Sequence, residues 1–131
     1  MKLPSLLAIC LLASPTLAEE GGARELQIPV KEDVAWPAFI PAGATQARPC
    51  PLLVACHGAG HTADGFYNVL LETARKQGMA LLAPQGFMPV GQGFTWNASP
   101  EENAALEKAI RDLLKEHSGI DPKRILWLGF S

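Results

Sequence analysis

Three short apolar runs, at 52–56, 79–83 and 125–128, constrain this chain more than any other feature, because none of them alternates with polar residues. A strand with one wet face alternates; a strand covered on both faces does not. Between the runs lie two segments whose apolar residues recur at helical spacing. They are Phe66, Tyr67, Leu70, Leu71 and Ala74 in the first, and Leu106, Ile110, Leu113, Leu114 and His117 in the second. Asp64 is expected to cap the first helix and Gly78 to stop it. Ser99, with Pro100 at the first helical position and Glu102 at the third, is expected to start the second, and Gly119 to close it. Ahead of these, Leu26, Ile28 and Val30, then Val34, Trp36, Ala38 and Ile40, alternate around Lys31-Glu32-Asp33. That pattern predicts an antiparallel pair at a sheet edge, where Pro29 and Pro37 are tolerated. The order of elements predicts an α/β domain: a mostly parallel sheet with right-handed crossover helices and an antiparallel N-terminal hairpin.

The first eighteen residues are read apart from this domain. Lys2, an apolar run from Leu6 to Ala13 and then Thr16-Leu17-Ala18 have the layout of a secretory signal peptide cleaved after Ala18. The run is broken by Pro4 and Pro15 and falls short of the roughly 20 apolar residues that cross a bilayer. Residues 19–131 are then one partial domain in a secreted or periplasmic protein. With 11 Lys+Arg against 13 Asp+Glu and no basic stripe, no nucleic-acid partner is expected, nor stable membrane insertion. Export means an oxidising compartment. Cys50 and Cys56 are nevertheless not expected to pair with each other, because an extended chain sets them roughly 20 Å apart, against a Cα separation of about 7 Å at most for a disulfide.

Two glycine-rich strand ends carry the chemistry. The run at 52–56 stops at His57-Gly58-Ala59-Gly60, and the run at 125–128 stops at Gly129-Phe130-Ser131, the first three positions of G-x-S-x-G. With the N-terminal hairpin and the segment "IDPKRI", residues 25–131 resemble the first half of an α/β-hydrolase. Within that superfamily they are most similar to secreted esterases of the feruloyl esterase and polyhydroxybutyrate depolymerase type and to the phospholipase/carboxylesterase group. The resemblance implies that Ser131 is the nucleophile, projected by a sharp strand-to-helix turn that a side chain at Gly129 would crowd. It implies that the backbone N–H of Ala59 supplies half of an oxyanion hole, with His57, Gly58 and Gly60 shaping its loop. His57 is expected to brace that loop and not to act as base, since the chain order in this fold is Ser, acid, His.

The stretch 84–98, interrupted by Gly and Pro, is expected to be a functional loop at the C-terminal end of a strand. Its Phe87, Phe94 and Trp96 either line an apolar substrate pocket or pack the loop onto its own domain. His61 reads as a surface residue and His117 as a helix-end histidine favoured by the negative end of the dipole. The histidines lack metal-ligand spacing, so no metal and no cofactor are expected. The resulting expectation is a fragment of an exported serine esterase acting on small-molecule or polymeric esters, truncated at the nucleophile and inactive as 131 residues, with an uncovered apolar edge strand. The rival expectations are a non-catalytic, hydrolase-like binding protein and a serine peptidase of the same fold.

Overall fold

A computed structural model describes residues 22–130. The leader expected at 1–18 and the Ser131 side chain lie outside the described residues. The elements run β1 (Arg24–Lys31), β2 (Val34–Ile40), β3 (Cys50–Cys56), α1 (Ala63–Gln77), β4 (Ala80–Leu82), β5 (Met88–Val90), β6 (Gly93–Thr95), α2 (Pro100–Glu116) and β7 (Ile120–Gly129). Five strands make a mixed sheet in the order β1-β2-β4-β3-β7, while β5 and β6 form a separate hairpin. The sheet is antiparallel from β1 through β2 to β4 and parallel from β4 through β3 to β7. The parallel part comprises three strands, and these hold the three unalternating apolar runs.

The crossover from β3 to β4 and the one from β4 past β3 to β7 run in opposite directions along the sheet, which places the two helices on opposite faces. On one face, Trp36, Ile40, Leu52, Val54 and Leu82 pack against Ala105, Ala109 and Leu113 of α2. On the other, Phe39, Ala55 and Leu81 pack against Ala63, Tyr67 and Ala74 of α1. The alanines sit at the centre of each contact, because a small side chain lets a helix approach the sheet closely. The larger Leu106, Ile110, Leu114, Phe66, Leu70 and Leu71 flank these contacts and are only partly buried. Tyr67 ties α1 to the hairpin by donating its hydroxyl proton to Glu25 Oε1 at 2.8 Å.

The helix ends follow from local chemistry. Gly78 adopts φ 66° and its N–H reaches the carbonyls of Ala74 and Arg75, the left-handed stop expected of glycine. Ser99 Oγ accepts from the Glu102 N–H, with Pro100 in the first turn. The cap of α1 is Thr62, whose Oγ1 accepts from Gly65 N–H, while Asp64 lies in the first turn and favours the dipole from there. Gly119 serves close packing: a Cβ there would stand 2.5 Å from the Ala44 carbonyl oxygen. Asp121 and Pro122 lie inside β7. Cys50 pairs with Ile120 and Leu52 with Ile125, so residues 121–124 stand opposite one residue of β3. Asp121 closes this insertion by accepting from the Lys123 N–H and the Arg124 guanidinium. β7 forms one edge of the sheet, with Leu126, Trp127 and Leu128 at 50, 57 and 38% exposure.

His117 differs from the sequence expectation. Its Nδ1 accepts from the Arg24 guanidinium at 3.2 Å, and burial, then the Arg24 charge, hold its pKa below the ordinary 6.5. The imidazole is thus kept neutral, with Arg24 as the cation near the end of the helix. A lowered histidine pKa contributes stability that is present above 6.5 and is lost as pH falls through the folded-state value, because the unfolded chain takes up the proton first. Urea midpoints of the wild-type chain should therefore fall more steeply between about pH 7 and about pH 5 than those of His117→Gln. Parallel curves would contradict the assignment.

Candidate functional site

β3 and β7 end side by side, because Cys56 pairs with Gly129 in parallel register. The segments continuing from the two strands therefore leave the sheet at the same place, the carboxyl end where open α/β sheets hold their ligands. Gly58 lies directly against Phe130: a Cβ on it would stand 2.9 Å from both the ring and the carbonyl oxygen of Phe130. From Gly58 the chain makes a four-residue turn, with His61 N–H donating to Gly58 O at 3.1 Å and φ +82° at Gly60. A positive φ at the third position is the type II geometry that selects glycine. Ala59 forms the exposed corner, and its N–H has no acceptor among the described residues.

His57 is 1% exposed and is fully engaged. Its Nε2 accepts from the Gly86 N–H at 3.1 Å, which assigns the ring proton to Nδ1, and Nδ1 donates to Gly58 O at 2.8 Å. Trp96 stacks on the ring with centroids 4.9 Å apart and donates its indole N–H to His57 O at 2.9 Å. No nitrogen of this ring is left to take a proton from a neighbouring hydroxyl.

The stretch 84–98 is ordered into the β5–β6 hairpin, which turns at Gly91 with φ 60°. Its second strand docks on the Gly58–His61 turn through Gly60 N–H to Phe94 O and Phe94 N–H to His61 O, both 2.9 Å. This contact has no room for a side chain at Gly93, where a Cβ would overlap the Gly60 carbonyl and stand 2.5 Å from His61 O. Beside the turn lies an open depression of about 660 Å³, walled by Phe66, Val69, Phe130 and His61, with Gln92 of the hairpin at its rim. Among the described residues, no Lys, Arg, Asp or Glu lines it. Phe130 gathers the aromatic wall, with His61 edge-on and Phe66 tilted, each at 6.4 Å between centroids.

Phe87, Phe94 and Trp96 do not line this depression; of their two alternatives, the structure shows the one in which the stretch packs onto its own domain. Phe87 sits across the sheet on the α2 side, 6.4 Å from Trp36 and beneath the Lys31 ammonium, because the chain has not yet entered the hairpin at that point. Trp96 is committed to His57, and Phe94 contributes its backbone to the turn. Phe66 and Phe130 occupy the wall instead. Among the described residues Gly129 has no left-handed φ, and a Cβ on it would meet nothing within 4 Å. Burial and the Glu102 charge push the Cys56 thiol pKa up, which disfavours its thiolate. Cys50 and Cys56 are both free among the described residues. No grouping of three potential metal ligands occurs among the described residues, and no described helix is long and apolar enough to cross a membrane.

The spacing of Glu102 from Ser99 points to a capping box, and the structure gives the side chain another task. Its carboxylate is 3% exposed and accepts from the backbone N–H groups of Phe87, Asn97 and Ala98 at 2.7–3.2 Å. The Ser99 N–H that a capping box would satisfy bonds to Asn97 Oδ1. The only trace of this in the sequence is the S-x-x-E spacing itself.

No protein-family model matches the sequence, and no curated protein matches it either. Solved structures do. A carboxylesterase from Mesorhizobium loti aligns with 21% identity and a TM-score of 0.50, over 78% of this chain and 52% of that one. A bacterial heroin esterase aligns with 28% identity and a TM-score of 0.54, over 94% of this chain and 40% of that one. A ferulic acid esterase from Anaeromyces mucronatus aligns at a TM-score of 0.44 with 21% identity, over 83% and 48%. The described residues carry part of an α/β-hydrolase fold, a fold shared with esterases. The chain spans about half or less of the length of the solved structures it matches.

The tight hairpin-to-turn contact gives a direct expectation. Gly93→Ala should cost about 1–3 kcal/mol by overpacking and speed proteolytic cleavage within 84–98, read by urea denaturation and peptide mapping. A variant as stable and as resistant as wild type would show that the contact yields.

Proposed function

We propose that residues 22–131 form the nucleophile side of an exported serine esterase. Ser131 supplies the attacking Oγ, and the Ala59 N–H binds the oxyanion that develops on the ester carbonyl. The second oxyanion donor, by the pattern of the fold, is the N–H of the residue after the serine. Attack forms the Oγ–C bond, the tetrahedral intermediate expels the alcohol, and water then releases the acid. The observation that carries this reading is the close approach of Gly58 to Phe130. It brings the turn carrying the Ala59 N–H, which has no acceptor among the described residues, to Phe130, the residue before the serine. The esterase neighbours supply the reaction class.

His57 is not the base in this reading, because both of its ring nitrogens are engaged. The triad base and acid are assigned to no residue of this sequence. Residues 1–131 alone are accordingly read as inactive, since loss of the triad partners leaves only weak catalysis. The group seated in the depression is uncharged and apolar, as its walls of Phe66, Val69 and Phe130 demand. Residues 1–18 are read as the export signal, which makes the protein secreted or periplasmic.

Two measurements on the protein from its own cells test this. A fluorophosphonate probe should modify the peptide that begins at Ile125 on Ser131, and Ser131→Ala should abolish both labelling and hydrolysis of p-nitrophenyl esters. Esterase activity that survives Ser131→Ala would overturn the assignment. The N-terminal residue of the exported protein should be Glu19, and retention of Met1 would overturn export.

A further inference from the structure

We infer that Glu102 is a positioning residue for the His57–His61 segment, acting through the stretch 84–98. One buried carboxylate fastens both ends of that stretch. Oε2 accepts from the Phe87 N–H, where the chain enters the hairpin, and Oε1 accepts from the Asn97 and Ala98 N–H groups, where it leaves. Next in sequence to these two anchors, Gly86 just before Phe87 and Trp96 just before Asn97, stand the residues that grip the turn. Gly86 N–H is bonded to His57 Nε2, and Trp96 bonds to His57 O and stacks on its ring. Farther out, Phe94 bonds Gly60 and His61. The order of parts is thus carboxylate, two anchors, His57, turn.

The device needs a carboxylate, because every group at its two ends is a donor. Asn97 N–H lies within bonding distance of both oxygens, at 3.0 and 3.2 Å. An amide of the same shape can accept at one end only, and its NH₂ then faces N–H groups at the other. Glu102→Gln should therefore release one anchor while keeping the volume of the side chain.

The link predicts changes at a distance. In the 131-residue chain carrying Glu102→Gln, hydrogen exchange at the Gly60 and Phe94 N–H groups should quicken by about tenfold or more. The ¹⁵N resonances of the His57 ring should move from a pure Nδ1–H pattern toward a mixture of tautomers. Ser99→Ala is the control, since it removes the bond from Glu102 N–H to Ser99 Oγ and weakens the start of α2 without touching the carboxylate. It should leave the His57 ring nitrogens unmoved. Trp96→Phe breaks the chain of contacts at its far end and should disturb His57 and the turn while exchange at Phe87 stays slow.

Ring shifts and turn exchange in Glu102→Gln that match wild type, or that match Ser99→Ala, would reduce Glu102 to a helix cap and overturn the inference. Should Glu102→Gln not fold, Trp96→Phe decides alone, and an unchanged turn in it overturns the inference. That the turn takes part in catalysis rests on the esterase reading. The exchange rates and ring shifts do not, so loss of that reading leaves this link standing, and loss of the link leaves Ser131 labelling as the test of the other.

Discussion

The parallel pairing of β3 with β7 is the constraint on which the site depends. Parallel strands must be joined by a crossover, so residues 57 and 130 are far apart in sequence and can meet only if both crossovers close. Once Cys56 and Gly129 are in register, the Gly58 turn and Phe130 leave the sheet together, and the absence of a Cβ at Gly58 lets them touch. Helices on both faces keep β3 dry, with Leu52, Val54 and Ala55 wholly buried, and hold its end in place.

The frame of the molecule is legible in residue pattern. Two-sided burial writes itself as unalternating runs, and the Gly78 and Ser99 boundaries follow from backbone chemistry that operates within one turn of helix. Sequence and structure part wherever the outcome depends on a partner distant in the chain. Asp64 and Thr62 are both competent caps, and nothing local says which is used. Alanines carry little weight in a periodicity, yet Ala105 and Ala109 are the residues facing the sheet. The helix around His117 suggests a favoured cation, whereas Arg24, 93 positions away, decides its charge. Phe87 groups by sequence with Phe94 and Trp96, but it packs beside Trp36 on the α2 side whereas Trp96 stacks on His57 at the end of β3.

Glu102 is the extreme case. Its spacing from Ser99 satisfies a familiar local rule so well that a second role leaves no mark. A buried carboxylate needs its lone pairs met, and backbone N–H groups of a non-regular segment are a common way to meet them. Such segments have few internal bonds of their own, so the carboxylate and the stretch 84–98 satisfy each other. The same reciprocity explains why a segment rich in Gly and Pro is ordered here.

Anchoring both feet of the hairpin at Glu102 insulates its tip. Gly91 and Gln92 project past the last bond between Phe94 and the turn, and Gln92 reaches the rim of the depression. Substitutions or insertions at the tip can alter what the rim offers to a ligand while the His57 anchorage stays where it is. Fastened at the base and free at the end, the hairpin can vary at its tip without disturbing the His57 anchorage beneath it.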